Sequence, residues 1–100
     1  MSTEQSYRKE HESLRAASNR AGNTALRLMV GENVRRLRDE AGLTLDALAK
    51  HLGFGRQYLN DFESGKHNPT VAIVFQLANA LGVRPEDIVT PPSSGQGAAF

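Results

Sequence analysis

Residues 45–63 read LDALAKHLGFGRQYLNDFE, and the spacing of their apolar side chains predicts two short helices joined by a tight turn. Thr44 is a good N-cap for the first of these helices. Gly53 stands where the chain must leave that helix in a left-handed conformation, which costs little free energy only for glycine. Ala49 is small enough for the second helix to cross the first at close range. The apolar residues spaced to meet between and beneath the two helices are Leu48, Leu52, Phe54, Leu59 and Phe62.

Any one of these leucines could belong to the core of a plain helical bundle. The combination is more specific. A small residue lies at the crossing, a glycine lies in the turn, and the caps mark helix ends at matching positions, so that together they hold two helices at a steep angle. That arrangement is a helix-turn-helix motif, here at about residues 45–63.

A helix is predicted before this motif. We expect Asn23 or Thr24 to cap its start and Gly42 to end it, although Gly31 weakens the prediction in its middle. One face of this helix is apolar and carries Leu26, Val30, Val34, Leu37 and Ala41.

Two more helices are predicted after the motif. The first begins at Pro69-Thr70, carries the apolar residues Val71, Val74, Leu77, Ala78 and Leu81, and ends at Gly82. The second is short, covers residues 85–89, and starts at Pro85, where the first turn of a helix tolerates proline. Because no β-hairpin signal occurs, the expected fold class is all-α, a compact five-helix domain over residues 24–90.

The two ends of the chain differ in composition from this domain. Residues 1–23 are polar, with few large apolar side chains (Tyr7 and Leu14), so they form an arm that is flexible or partly helical. Residues 91–100 read PPSSGQGAAF, have little to pack with, and are expected to be a disordered tail.

Composition excludes several classes of protein. A chain of 100 residues has room for one domain, whose core stabilises it only marginally, so a partner subunit would help. It contains no cysteine and its three histidines are not closely paired, so we expect no disulfide, no metal site and no cofactor. No apolar run approaches the roughly 20 residues of a membrane helix, and the N-terminus is too polar for a signal peptide. We therefore expect a cytoplasmic protein without a membrane partner.

The overall charge is close to balance. Twelve Lys and Arg against eleven Asp and Glu give a net charge of +1. Any attraction to phosphate must therefore come from individually placed residues and helix ends rather than from bulk charge.

The motifs VRRLRDEAGLT, ALAKHLG, FESGKHNPT and LANALGV stand at residues 34–44, 47–53, 62–70 and 77–83. With them, residues 31–89 resemble the lambda-repressor/Cro type of helix-turn-helix domain, the XRE family of prokaryotic and phage regulators. The resemblance implies a lambda-repressor-like fold of five helices, whose third helix enters the major groove of double-stranded DNA. It also implies an ion pair between Arg38 and Glu63, which assigns Glu63 to structure and not to catalysis.

The polar residues at the start of the third helix suit base recognition. In helix-turn-helix proteins the first turns of this helix face the base edges. Arginine can bind guanine through two hydrogen bonds, glutamine or asparagine can pair with adenine, and aspartate can accept from cytosine. The residues predicted to read bases are Arg56, Gln57, Asn60 and Asp61. The alternative is that they are solvated surface groups, and Asp61 is favourable near phosphate only beside a base amine or an arginine.

Contacts with the DNA backbone are predicted on either side of this helix, where helix N-termini and backbone amides face phosphates. The residues are Thr44, Gly55, Tyr58, Ser64, Lys66 and Asn68. Relatives often place a phosphate-binding glutamine right after the cap of the second helix. This chain has Leu45 there, which puts that contact in doubt. The basic residues of the arm either follow the duplex or stay solvated: Arg8, Lys9, Arg15 and Arg20.

A homodimer is expected, because one such domain touches few bases and paired half-sites lie about 34 Å apart. The candidate dimer patch is Val83, Ile88 and Val89, unless these residues only close the core of the monomer. The expected function is a transcriptional regulator, a repressor, that reads an inverted-repeat operator as a dimer. The alternative is an antitoxin or protein-interaction module of the same fold, which binds a toxin or another regulator through its arm or tail. We expect no enzyme, because no nucleophile–base pair or phosphate loop is visible.

Overall fold

The computed structural model describes residues 23–92, which fold into five helices joined by short turns. These are α1 (residues 23–40), α2 (Leu45–Leu52), α3 (Arg56–Glu63), α4 (Val71–Leu81) and α5 (Pro85–Val89). No strand occurs in this range, and the predicted all-α class is confirmed. Within the same range no helix is long and apolar enough to cross a membrane. The predictions for the N-terminal arm at 1–22 and for residues 93–100 of the tail lie outside the described residues.

The start of α2 has the cap that the sequence predicts, and α4 is capped in the same way by Thr70. Thr44 Oγ1 accepts a hydrogen bond from the backbone N–H of Ala47 at 3.0 Å, and Thr70 Oγ1 accepts one from Ile73 at 3.2 Å. Gly53 ends α2 with φ 73°, the left-handed conformation that glycine adopts without strain. The chain therefore turns from α2 into α3 within a few residues, and this turn fixes where α3 starts.

The predicted start of α1 is wrong. Asn23 and Thr24 both lie inside the helix, so neither is its N-cap. Thr24 Oγ1 instead accepts a hydrogen bond from Arg27 Nη2 at 3.4 Å, a contact between side chains one turn apart on the helix surface. A residue of this type caps a helix only where its own backbone is extended, and the sequence pattern alone does not report that conformation.

The apolar faces of the helices meet in a single core. Leu59 and Phe62 bury the inner face of α3, which leaves the opposite face of this helix free for solvent. Ile88 of α5 is 0% exposed, so this residue closes the core of the monomer. Burying a large apolar side chain contributes about 1.5–3 kcal/mol each. The buried apolar residues are Val30, Val34, Leu48, Ala49, Leu59, Phe62, Val74, Leu77, Ala78 and Ile88.

Asn33 is the buried polar side chain of this core, and it fastens α5 to α1. Its Nδ2 donates to the carbonyl oxygens of Ile88 at 2.8 Å and Thr90 at 2.7 Å. Its Oδ1 accepts from Arg36 Nη2 at 3.3 Å. The amide thus satisfies carbonyl groups at the end of α5 that the helix itself leaves without partners.

Gly31 lets α1 approach the last turn of α3 backbone to backbone. A Cβ atom at Gly31 would lie 2.5 Å from the carbonyl oxygen of Glu63 and 2.7 Å from that of Phe62. Both atoms belong to the backbone, so they cannot swing aside as a flexible side chain would. The residue that weakens the sequence-based prediction of α1 is therefore the one that sets its distance from α3.

The ion pair between Arg38 and Glu63 joins the same two helices. Arg38 donates from Nε to Glu63 Oε2 at 2.7 Å and from Nη2 to Oε1 at 3.1 Å. Its Nη1 also donates to the carbonyl oxygen of Leu43 at 2.9 Å. The two side chains are 12% and 7% exposed. The hydrogen bond with Glu63 raises the pKa of Arg38 above its ordinary value, against the opposing effect of burial.

We expect Gly31→Ala to lower the free energy of unfolding by about 2 kcal/mol, because the clash outweighs the roughly 1 kcal/mol that alanine gains over glycine in a helix. Urea denaturation measures this loss. Glu32→Ala, at an exposed neighbour on α1, is the control and should stay within about 0.5 kcal/mol of the parent. A Gly31→Ala variant more stable than the parent would contradict the close approach of α1 and α3.

We expect Glu63→Gln to lower the free energy of unfolding by about 3 kcal/mol, because it leaves the Arg38 guanidinium without its buried counter-charge and with only the exposed carboxylate of Asp39 beside it, at 3.4 Å. The same denaturation measurement on Glu40→Gln provides the control. Glu40 pairs with Arg36 at 3.4 Å on the surface, and exposed pairs contribute less than about 1 kcal/mol. Equal losses for the two variants would show that the Arg38–Glu63 pair is no more than a surface contact.

Candidate nucleic-acid interface

The outward face of α3 brings together three of the residues predicted to read bases. Arg56, Gln57 and Asn60 are exposed and, with Leu45, line one shallow depression at the junction of α2 and α3. Leu59 and Phe62 are buried on the other side of the helix, so the three polar side chains carry no part of the core. Leu45 adds an apolar side chain to this depression, and that side chain offers no hydrogen bond to a phosphate.

Asp61 lies at the edge of this group rather than in the depression. Its side chain is 22% exposed. Its Oδ1 accepts a hydrogen bond from Gln57 Nε2 at 2.9 Å, and the same atom lies 3.7 Å from Lys66 Nζ. Asp61 therefore connects a predicted base-reading side chain with a predicted phosphate-binding side chain.

Arg56 also has a carboxylate partner. Its Nε lies 3.0 Å from Oδ1 of Asp46, in the first turn of α2, and both side chains are more than two-thirds exposed. The sequence analysis assigned no role to Asp46. Its contact with Arg56 depends on how the turn at Gly53 orients α3 against α2, and no sequence spacing reveals it.

The groups that the sequence predicts to bind phosphate fall on two sides of α3. On one side are the beginnings of α2 and α3, next to Thr44 and Gly55. The first helical hydrogen bond of α3 runs from Leu59 N–H to Gly55 C=O at 3.1 Å. The backbone N–H groups before Leu59 are therefore left outside the helical ladder, at the positive end of the helix dipole, as an anion requires.

On the other side is the α3–α4 link, which we define as residues 64–69. Ser64 does not have a free donor in this link, because its Oγ and its backbone N–H both donate to the carbonyl oxygen of Asn60, at 3.0 and 3.1 Å. The backbone N–H of Lys66 is likewise used, by the carbonyl oxygen of Asp61 at 2.9 Å. The backbone amides of Ser64 and Lys66 are therefore engaged within the protein, whereas the side chains of Lys66 and Asn68 are exposed.

Arg27 of α1 holds the α3–α4 link in place, and the sequence analysis missed it. Its Nε donates to the carbonyl oxygen of Gly65 at 3.0 Å, and its Nη1 donates to Asn68 Oδ1 at 3.3 Å. Because the oxygen of the Asn68 amide faces Arg27, its two N–H donors are turned the other way. These contacts join residues about 40 positions apart, so only the fold brings them together.

Tyr58 is fixed by a short aromatic stack between the turn and the link. Its ring meets Phe54 edge to face at 5.3 Å between centroids and stacks on His67 at 4.5 Å. Such pairs contribute about 0.5–1.5 kcal/mol beyond the burial of area. The stack ties the α2–α3 turn to the α3–α4 link, the two segments that flank the exposed face of α3.

A second surface is apolar and lies across α4, α5 and the start of α1. We call it the α4 face and define it by Leu26, Val71, Phe75 and Val89. Val71 is 75% exposed and Phe75 is 59% exposed. Of the predicted dimer patch, Val89 belongs to this face, Val83 is half-buried beside the core, and Ile88 is buried. The exposed apolar surface therefore extends from the predicted patch onto α4.

Known helix-turn-helix proteins are similar in sequence to this chain. Residues 34–88 match the family model HTH_3, described as helix-turn-helix. The HTH-type transcriptional regulator y4dJ of Sinorhizobium fredii is 47% identical over 66 residues, which make up 66% of this chain and 86% of that protein. The immunity repressor protein of Bacillus phage phi105 is 34% identical over 62% of this chain and 43% of its own length.

A solved structure has the same fold. The restriction-modification controller protein C.AhdI of Aeromonas hydrophila matches with a TM-score of 0.58 at 31% identity, over 61% of this chain and 92% of that protein. The family model covers more than half of the chain, and the helices it spans are those that carry the depression on α3 and both of its flanks. The chain belongs to the helix-turn-helix family of XRE type and is a DNA-binding transcriptional regulator.

Proposed function

We propose that this regulator is a repressor that binds an inverted-repeat operator as a homodimer, with α3 of each copy in the major groove. The observation that carries the proposal is the exposed face of α3, where Arg56, Gln57 and Asn60 stand between two sets of phosphate-binding groups. A major groove is about 12 Å wide and accepts a helix whose polar side chains point at the base edges. The similarity to a phage immunity repressor supports the direction of regulation.

The chemistry of the three side chains predicts the kind of base pair that each one reads. Arg56 presents a fork of N–H donors that fits O6 and N7 of guanine. Gln57 and Asn60 each combine a donor with an acceptor, which fits N7 and N6 of adenine. Asp61 is a weaker candidate for base contact, because its Oδ1 already accepts from Gln57 and lies near Lys66.

The proposal requires a second copy because α3 is short. Its eight residues span about 12 Å, which reaches only a few base pairs. Two copies related by a twofold axis double the number of base contacts and place the recognition helices about one turn of DNA apart. The α4 face supplies an exposed apolar surface suited to such a contact, and Val89 links it to the dimer patch expected from the sequence.

We expect Arg56→Ala and Gln57→Ala each to cost about 1–3 kcal/mol in binding to the selected operator and to relax one position in each half-site. The operator is obtained by selection from random duplex DNA and sequencing, and affinities are then measured by fluorescence anisotropy. Gln76→Ala, at an exposed position on α4, is the control and should leave the site unchanged. An unchanged consensus for both α3 variants would overturn readout by this helix.

We expect Phe75→Glu to shift the protein from dimer to monomer and to weaken operator binding at least tenfold, because a charge in an apolar contact cannot be desolvated without a partner. Sedimentation velocity measures the first effect and anisotropy the second. Gln76→Glu adds the same charge to the neighbouring exposed position and should change neither. A Phe75→Glu variant that remains dimeric would exclude the α4 face as the dimer contact.

A further inference from the structure

Two carboxylates stand on the surface that is proposed to meet the phosphate backbone. Asp46 is in the first turn of α2, and Asp61 is in the last turns of α3. A negative charge close to phosphates lowers affinity for any DNA, whatever its sequence. Both carboxylates contact a residue proposed to read bases, and this shared feature suggests what they do.

Asp61 fixes the orientation of Gln57. The two residues are one turn apart on α3, and Gln57 Nε2 donates to Asp61 Oδ1 at 2.9 Å. A glutamine amide has two N–H donors and one carbonyl oxygen, so one donor and the acceptor remain for an adenine edge. Lys66 Nζ, 3.7 Å from the same Oδ1, holds the carboxylate from the side of the α3–α4 link.

Asp46 restrains Arg56 from the neighbouring helix. The ion pair runs from Arg56 Nε to Asp46 Oδ1 at 3.0 Å, and it holds the inner part of the guanidinium beside α2. Because the contact uses Nε, the two terminal nitrogens are left for the two hydrogen bonds by which an arginine binds guanine. The carboxylate also offsets the charge of an arginine that would otherwise be attracted to any nearby phosphate.

We propose that Asp46 and Asp61 are positioning residues that determine sequence selectivity, each by orienting one base-reading side chain and by weakening binding to the DNA backbone. The inference rests on the proposed function, since it assigns selectivity to the same face of α3. It predicts that removing either carboxylate increases affinity for arbitrary DNA while reducing the preference for the operator. A merely structural role would change stability and leave that preference intact.

The experiment compares Asp46→Ala, Asp61→Ala and Asp61→Asn with the parent, using the selected operator, operators changed at a single base pair, and a scrambled duplex at one salt concentration. For the two alanine variants we expect the ratio of scrambled to operator Kd to fall about tenfold. The lost charge tightens binding to every duplex alike, so the fall in the ratio should come from a weaker contact of Arg56 or Gln57 with the operator. Operators changed at the base pair that this residue reads should then bind nearly as well as the operator itself.

Asp61→Asn separates the two effects, because asparagine keeps an oxygen acceptor for Gln57 but removes the charge. It should bind all duplexes more tightly and retain the base preference of the parent at the position that Gln57 reads. The matched control is Glu40→Gln, which removes one carboxylate from an arginine pair on α1, on the side of the molecule near Pro91 and Pro92. It should change neither Kd nor preference, and melting temperatures establish that every variant is folded.

The outcomes for the two proposals can be told apart. If the parent selects no sequence at all, the proposed function fails before any variant is tested. If the parent selects an operator and both alanine variants discriminate as well as Glu40→Gln does, Asp46 and Asp61 do not determine selectivity and the inference is overturned.

Discussion

The last turn of α3 is held against α1 by two contacts of different physical kinds. Gly31 removes the side chain that would keep the two backbones apart, and Arg38 with Glu63 joins them through two hydrogen bonds. A buried ion pair contributes little net stability, because desolvation of both charges offsets their attraction. It does fix geometry, since the guanidinium and carboxylate fit in one relative orientation. The angle at which α3 projects from the domain follows from that fit.

The electrostatics of the exposed α3 face differ from those of a generally basic nucleic-acid-binding surface. The whole chain carries a net charge of only +1, and Arg56 and Lys66 each lie beside a carboxylate. Such a face gains little from long-range attraction and depends on short-range fit to the base edges. The proposed phosphate contacts lie at the helix starts and in the α3–α4 link, whose shape is maintained by Arg27.

The sequence predicted what local rules control. Thr44, Thr70 and Gly53 mark helix ends through contacts within four residues, and the apolar spacing of α3 identified its buried face, so these elements agree with the structure. The same rules failed at the start of α1, where Thr24 has the chemistry of a cap but not its backbone conformation.

Contacts between distant residues could not be derived in this way. Three contacts depend on where helices meet in space. They are those of Arg27 with the α3–α4 link, of Asn33 with the end of α5, and of Asp46 with Arg56. The Arg38–Glu63 pair, 25 positions apart, is the exception, and it was expected from a family resemblance rather than from spacing. Ser64 was predicted to contact the DNA backbone because the sequence shows its hydroxyl group. The sequence does not show that this hydroxyl already donates its proton to the carbonyl oxygen of Asn60.

The two faces of α3 separate the residues that hold the helix in the domain from the residues proposed to read bases. Leu59 and Phe62 hold the helix in the core, whereas Arg56 and Asn60 are exposed on its other face. Substitutions at exposed positions of this kind usually change stability by less than about 0.5 kcal/mol. The outer residues can therefore be exchanged at little structural cost, so a lineage of such regulators can acquire new target sites while keeping one scaffold. Exchanging only these outer residues between two such regulators should likewise transfer the DNA specificity of one to the other.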